Sequence, residues 1–321
     1  MANFTNQYKA KLARMKQNKA MEKKKEALLE GGDRVVNFVI HTILILAGLC
    51  CLYPLWYVLI ASFSTPLQIG LGNVWLYPVG FTLAGYEELF DTDMIWIGYR
   101  NTIVYTVLCA ILGMILQVGC GYAMSRKAMP GRKWINLFFV FTMYFSGGTI
   151  PTYMLLSSFG WVNNPIVMIV PGAFSVWNMI IARSHFMSAI PESLFDAARI
   201  DGCSYFRFFF KVALPLSGAM MAILALYNIQ GHWNSYMTGL MYLRDSNLFT
   251  LQQVIQNIQK NAMPVQELPD PNMDQLLHEY EFRAQLLKYT AVIAGALPLI
   301  IAYPFLQRFF IKGVMVGSVK G

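Results

Sequence analysis

The sequence predicts an all-α membrane protein of six transmembrane helices with both termini on the cytoplasmic side. Three observations carry that prediction. Of the 321 residues, 56% are hydrophobic and only 13% charged, with a mean hydropathy of +0.45, whereas a soluble domain carries about 25% charged residues. Six stretches, 35–61, 102–125, 134–157, 165–182, 212–240 and 289–310, approach or exceed the roughly 20 apolar residues that a helix needs to cross hydrocarbon. The basic residues, finally, are unevenly placed along the chain.

Twenty of the 25 Lys and Arg residues fall in the N-terminal tail 1–34, the loops 126–133 and 183–211, and the tail from Arg308. The loops 62–101 and 241–288 hold the other five, together with ten of the 17 acidic residues. Short cytoplasmic loops are enriched in Lys and Arg, so those two loops face outward. The net charge of +8 is then a signal of topology. It does not point to nucleic acid, because no basic patch is interleaved with exposed aromatics.

The elements follow in order. Residues 1–34 form a basic tail with the run Lys23-Lys24-Lys25. It reads equally as an amphipathic helix on an anionic leaflet or as a solvated tail. The first apolar stretch is too long for a signal-peptide core, so no cleavable signal is expected. With no Gly/Ser- or Pro-rich linker beyond it, 35–310 reads as one six-span domain, followed by a short tail at 311–321.

The second span contains Ala110, Gly113, Gly119 and Gly121, small residues that let membrane helices approach closely. The third is interrupted by Ser146-Gly147-Gly148-Thr149-Ile150-Pro151, where a helix breaks or ends. A break at membrane depth is tolerated beside protein or a water-filled cavity. The same run could also mark the outer end of the helix.

Between the fourth and fifth spans lies Asp196-Ala197-Ala198-Arg199-Ile200-Asp201-Gly202, then nine residues, then Val212-Ala213-Leu214-Pro215. Pro191 suits a first helical position, and Ala197 and Ala198 make a helix without bulk. Gly202 permits positive φ. Phe206, Phe208, Phe209 and Phe210 supply apolar anchors toward the bilayer, and Pro215 opens the next span. An ordinary interfacial helix-turn-helix would have the same local features.

Polar residues within spans include Gln117, Asn178, Asn228, Gln230 and His232. The run Gly231-His232-Trp233-Asn234-Ser235-Tyr236 combines aromatic faces with amide donors, as sugar sites do. Interhelical hydrogen bonding and an aromatic belt are the commoner origin of such a pattern. Asn228, His232, Trp233 and Asn234 are the candidate substrate-pathway residues.

Other chemistries lack their residues. All 17 acidic side chains lie in loops or tails, whereas ion-coupled carriers commonly place ionisable groups within the membrane. There is no G-x-x-x-x-G-K-[ST] phosphate loop and no second His after His278-Glu279. No G-x-S-x-G elbow is present. Cys50, Cys51, Cys109, Cys120 and Cys203 lack metal-ligand or C-x-x-C spacing and read as packing residues. No catalytic or metal-binding set is expected.

The Asp196–Pro215 pattern resembles the EAA loop of ABC importer permeases, with Asp196 where Glu is usual and Val212 where Ile is usual. Gly121-Tyr122-Ala123-Met124-Ser125-Arg126 resembles the end of the second core helix in carbohydrate ABC permeases. The stretch Tyr144–Tyr153 and His232-Trp233-Asn234 resemble a subgroup importing complex oligosaccharides. The tail Gly313–Gly321 is similar to that of the second permease in maltose-type importers.

The resemblance covers roughly residues 35–321 and implies a type I ABC importer permease fold in a bacterial cell membrane. It implies a second permease subunit, a dimer of ATP-binding subunits and an extracellular or periplasmic solute-binding protein as partners. ATP and Mg would be bound by the partner ATPase, with no cofactor in this chain.

By the same resemblance, Asp196, Ala197, Ala198, Asp201, Gly202, Leu214 and Pro215, within 190–215, would couple to the ATPase. Gly317, Lys320 and Gly321 of the C-terminal tail would also reach it. The loops 62–101 and 241–288 would meet the binding protein. In the maltose system the sugar contacts fall largely on the other permease. A non-sugar ABC importer, an ion-coupled carrier or an intramembrane enzyme are the alternatives.

Overall fold

A computed structural model describes residues 36–261, 282 and 286–304, and every regular element among them is helical. The longer helices are α1 (Val36–Ala61), α2 (Asp93–Ser125), α3 (Arg132–Tyr144), α4 (Thr149–Ser158) and α5 (Val176–Ala189). They continue with α6 (Glu192–Ile200), α7 (Tyr205–Leu216), α8 (Gly218–Trp233), α9 (Leu251–Asn261) and α10 (Leu286–Pro304). Residues 36–60 with Trp75–Tyr77 form one compact unit, and the remaining described residues a second. In the first unit, Trp56 Nε1 donates to the Leu76 carbonyl at 3.0 Å.

Among the described residues, α1, α2 and α10 are long and apolar enough to cross a membrane, and α7 with α8 make a fourth candidate despite an 82° bend. The other expected spans are divided, and the sequence explains where. The stretch 134–157 becomes α3 and α4 because Gly148 adopts φ +86° and ψ 170°, a conformation open essentially to glycine. Pro151 falls in the first turn of α4, where a missing N–H is harmless. The stretch 165–182 is split between Ile166–Ile169 and α5, around Pro171-Gly172. Ser175 caps the new helix by accepting from the Asn178 N–H.

The stretch 212–240 is divided at Ser217. Pro215 lies in the last turn of α7, ahead of the bend, and α8 begins at Gly218. The segment between Phe209 and Ala213 is a π-helix, so an extra residue is accommodated within the turn that precedes Pro215. Ser217 Oγ returns a hydrogen bond to the Ala213 carbonyl at 2.7 Å.

Helix α2 is the centre of the second unit, packed against α5, α8 and α9. Gly113 and Gly121 allow this. A Cβ at Gly113 would lie 2.6 Å from the Ala173 carbonyl oxygen, and one at Gly121 would lie 2.6 Å from Ala182 Cβ. Gly119, grouped with them by composition, has no atom within 4 Å of its Cβ position.

Within 241–288, the described residues 241–261 include helix α9. Leu251, Val254 and Ile255 of α9 are buried. The Leu251 N–H is received by Thr102 Oγ1 at 2.8 Å, and Asn101 Nδ2 donates to the Asn247 carbonyl at 2.7 Å. Glu267, Asp270, Asp274, Glu279 and Glu281 lie outside the described residues, as do the tail 1–34 and Gly317, Lys320 and Gly321.

Candidate functional site

The 190–215 segment is a helical hairpin built on one buried ring. Glu192, in the first turn of α6, forms an ion pair with Lys127. Phe195 is the residue of α6 that reaches the core. Its ring meets Phe208 edge-on, with centroids 5.1 Å apart, and Tyr205 at 4.8 Å. Phe208 is fully buried in a cluster that includes Val118, Tyr122, Phe186, Met220 and Leu224. Phe208 and Phe209 therefore turn into the protein, while Phe206 and Phe210 stay exposed, so only two of the four expected anchors face outward.

The turn after α6 depends on Gly202. Its φ is +74°, its N–H bonds the Arg199 carbonyl at 3.0 Å, and the Cys203 N–H bonds the Ala198 carbonyl at 2.9 Å. That pair of bonds closes a helix C-terminus through a left-handed residue. No atom lies within 4 Å of a Cβ built there, so backbone conformation, not lack of space, selects glycine.

Anchoring through Phe195 leaves the opposite face of α6 bare. Asp196, Ala197, Asp201 and Gly202 are exposed, Ala198 is half-buried, Leu214 is half-buried and Pro215 is exposed. Ile200, 88% exposed, projects from the same end of the helix. Sequence reasoning passed over Ile200, although five residues after Phe195 is about 140° around a helix. The face thus joins small residues, two carboxylates and one large aliphatic side chain, a surface suited to seating in another protein. Among the described residues no group of three His, Cys, Asp or Glu is arranged to hold a metal.

The candidate substrate-pathway residues are not gathered around one cavity. Asn228 is buried and paired with Gln117, each amide donating to the other at 3.1 Å. Trp233 is buried and its Nε1 donates to the Gly295 carbonyl at 2.9 Å. His232 Nε2 lies 2.9 Å from Cys109 Sγ. Asn234 is exposed, and its amide donates to the Gln230 carbonyl of its own helix at 3.1 Å. In this chain these polar groups are engaged in joining helices or closing a helix end.

A family model described as the binding-protein-dependent transport system inner membrane component matches residues 95–316. The chain belongs to this family. It is a permease component of an ABC transport system, a multi-pass protein of the inner membrane and a non-catalytic subunit. It is similar to the polygalacturonan/rhamnogalacturonan transport system permease protein YtcP of Bacillus subtilis, 33% identical over 90% of this chain and 99% of that one. Protein LplC of the same organism is 31% identical over 88% of this chain and 95% of its own. Among solved structures, a bacterial ABC transporter involved in import of the acidic polysaccharide alginate superposes with a TM-score of 0.76. It shares 28% identity and covers 87% of this chain and 98% of that one. For this permease component, the exposed face of α6 lies inside the matched region.

Proposed function

We propose that this permease is one of two membrane subunits of an ATP-driven oligosaccharide importer. It would form the translocation path with a second permease and receive the force of an ATPase dimer on α6. The reading is carried by one arrangement: a short helix held to the core through Phe195 and ended by Gly202, with Asp196, Ala197 and Ile200 left bare. The names of the relatives, which include polygalacturonan/rhamnogalacturonan and alginate systems, support a carbohydrate cargo. ATP and Mg are bound by the partner ATPase.

The chain crosses the membrane six times, with divided helices serving as crossings at 134–157, 165–182 and 212–240. Both termini are cytoplasmic. Helical breaks at such depth turn to protein or water, since lipid satisfies no backbone group. Leu214 and Pro215 steady the hairpin on its membrane side, and Gly317, Lys320 and Gly321 reach the ATPase. The loops 62–101 and 241–288 receive an extracellular solute-binding protein.

The test is reconstitution of the full transporter in liposomes. Oligosaccharide uptake should require ATP and the loaded binding protein, and vanadate should abolish it. Uptake that survives vanadate and follows a proton gradient would sink the assignment.

A further inference from the structure

We propose that Arg126 is a positioning residue that links the coupling helix α6 to the core helix α2, carrying movement of α6 into the membrane. The inference rests on the permease reading above and adds the route by which force crosses the hairpin. Arg126 follows directly on the last residue of α2. Its Cζ lies 5.0 Å from the centroid of the Tyr122 ring, one turn back on α2, and 5.7 Å from that of Phe195 on α6. Nε donates to Ser125 Oγ at 3.0 Å and Nη2 to the Phe186 carbonyl of α5 at 3.5 Å.

Tyr122 extends the connection. Its ring meets Phe186 edge-on at 5.5 Å and Phe209 of α7 at 4.7 Å. One guanidinium and one phenol ring therefore join α2, α5, α6 and α7. Among the described residues Arg126 makes no ion pair, whereas its neighbour Lys127 pairs with Glu192. A half-buried cation over two rings gains from their negative faces and keeps a planar group that can slide along them.

Space on both sides makes sliding possible. Arg126 lines a cleft of about 210 Å³ with Lys127, Glu192 and Phe195. It also lines a second, more apolar cleft of about 570 Å³ with Tyr122, Ala123 and Phe209. Close-packed cores hold a side chain in one place. Here the guanidinium stands between two clefts and can follow Phe195 while staying on Tyr122.

The experiment uses the assembled transporter with its ATPase, second permease and loaded binding protein. Three variants are compared with the parent: Arg126→Met, Arg126→Lys and Lys127→Met. The readouts are the ratio of sugar-stimulated to unstimulated ATP hydrolysis and the amount of ATPase co-purified.

Arg126→Met keeps the apolar stem and should lower the ratio about tenfold, the effect of losing two partly buried cation–ring contacts. ATPase co-purification should remain at the parent level. Arg126→Lys, which restores a cation without the planar fork, should recover part of the ratio, and Lys127→Met should leave it within about twofold.

An unchanged ratio in Arg126→Met overturns the proposal. So does a deficit that appears equally in Arg126→Lys, or one that tracks lost ATPase, since either marks a merely structural role. A parent complex with no stimulation at all would instead remove the ATP-driven importer reading on which the inference stands.

Discussion

Gln117 on α2 and Asn228 on α8 hold each other through two amide hydrogen bonds of 3.1 Å, buried at the centre of the helix packing. Gln117 also donates to the Ala173 carbonyl at 2.8 Å, beside the break that precedes α5. Gly113, whose Cβ would meet Asn228 Oδ1 at 3.0 Å, leaves the space the pair needs. Two helices and a broken segment are thereby held in one register by two side-chain amides and one backbone carbonyl.

Removing one partner should cost more than removing both. Gln117→Leu takes the donor from Asn228 Oδ1 and from the Ala173 carbonyl, while Asn228 Nδ2 keeps its bond to the Leu224 carbonyl, and a buried unsatisfied polar group costs about 1–3 kcal/mol. Thermal unfolding of the detergent-purified protein should show that loss. Gln117→Leu with Asn228→Leu should recover part of it, because the orphaned amide is gone. A double variant less stable than either single variant would mean that the pair is not coupled as described.

Gly202→Val should abolish transport while leaving the protein in the membrane. The strain comes from φ +74°, not from a clash, and a β-branched residue resists that region. Gly202→Asn, which tolerates left-handed backbone, should retain most of the uptake. Equal uptake in the Val and Asn variants would show that the turn does not depend on backbone conformation.

Asp196 and Ile200 should affect coupling without affecting folding, since both are exposed on α6. Ile200→Asp places a charge where an apolar side chain is expected to enter the ATPase, and should reduce ATPase co-purification at least about tenfold, as for a well-seated interface residue. Asp196→Lys should lower sugar-stimulated ATP hydrolysis and leave sugar binding by the isolated binding protein unchanged. An altered sugar range with full coupling in either variant would contradict the role assigned to this face.

The sidedness of the chain can be read with cysteines in a background lacking the five native ones. A cysteine at Ser246, beside the cap that Asp245 makes on Asn247, should react with an impermeant thiol reagent in intact cells. One at Ser204, the N-cap of α7, should react only after the membrane is opened. The reverse pattern would invert the topology and detach α6 from any cytoplasmic ATPase.

Helical class and the position of the turn at Gly202 were legible because both follow from local physics. Hydrocarbon admits a spanning segment only when its backbone bonds itself, so long apolar runs such as Val36–Ala61 declare themselves as helices. The turn at Gly202 needs a residue free at positive φ, and one glycine after a short amphipathic helix states that need. Membership of the permease family was legible for the same reason, its motif being a local stretch of chain.

What each polar side chain does was decided only by tertiary structure. Asn228, His232, Trp233 and Asn234 looked alike as a polar and aromatic group. In the fold they are separated by partners that no neighbouring residue announces: Gln117, Cys109, Gly295 and the α8 backbone. Helix α9 lay hidden in an acidic loop until Thr102, 149 positions away, received the Leu251 N–H. An amide or an indole in a span states a demand for a hydrogen bond but not its direction, and the direction is set by whichever helix packs alongside.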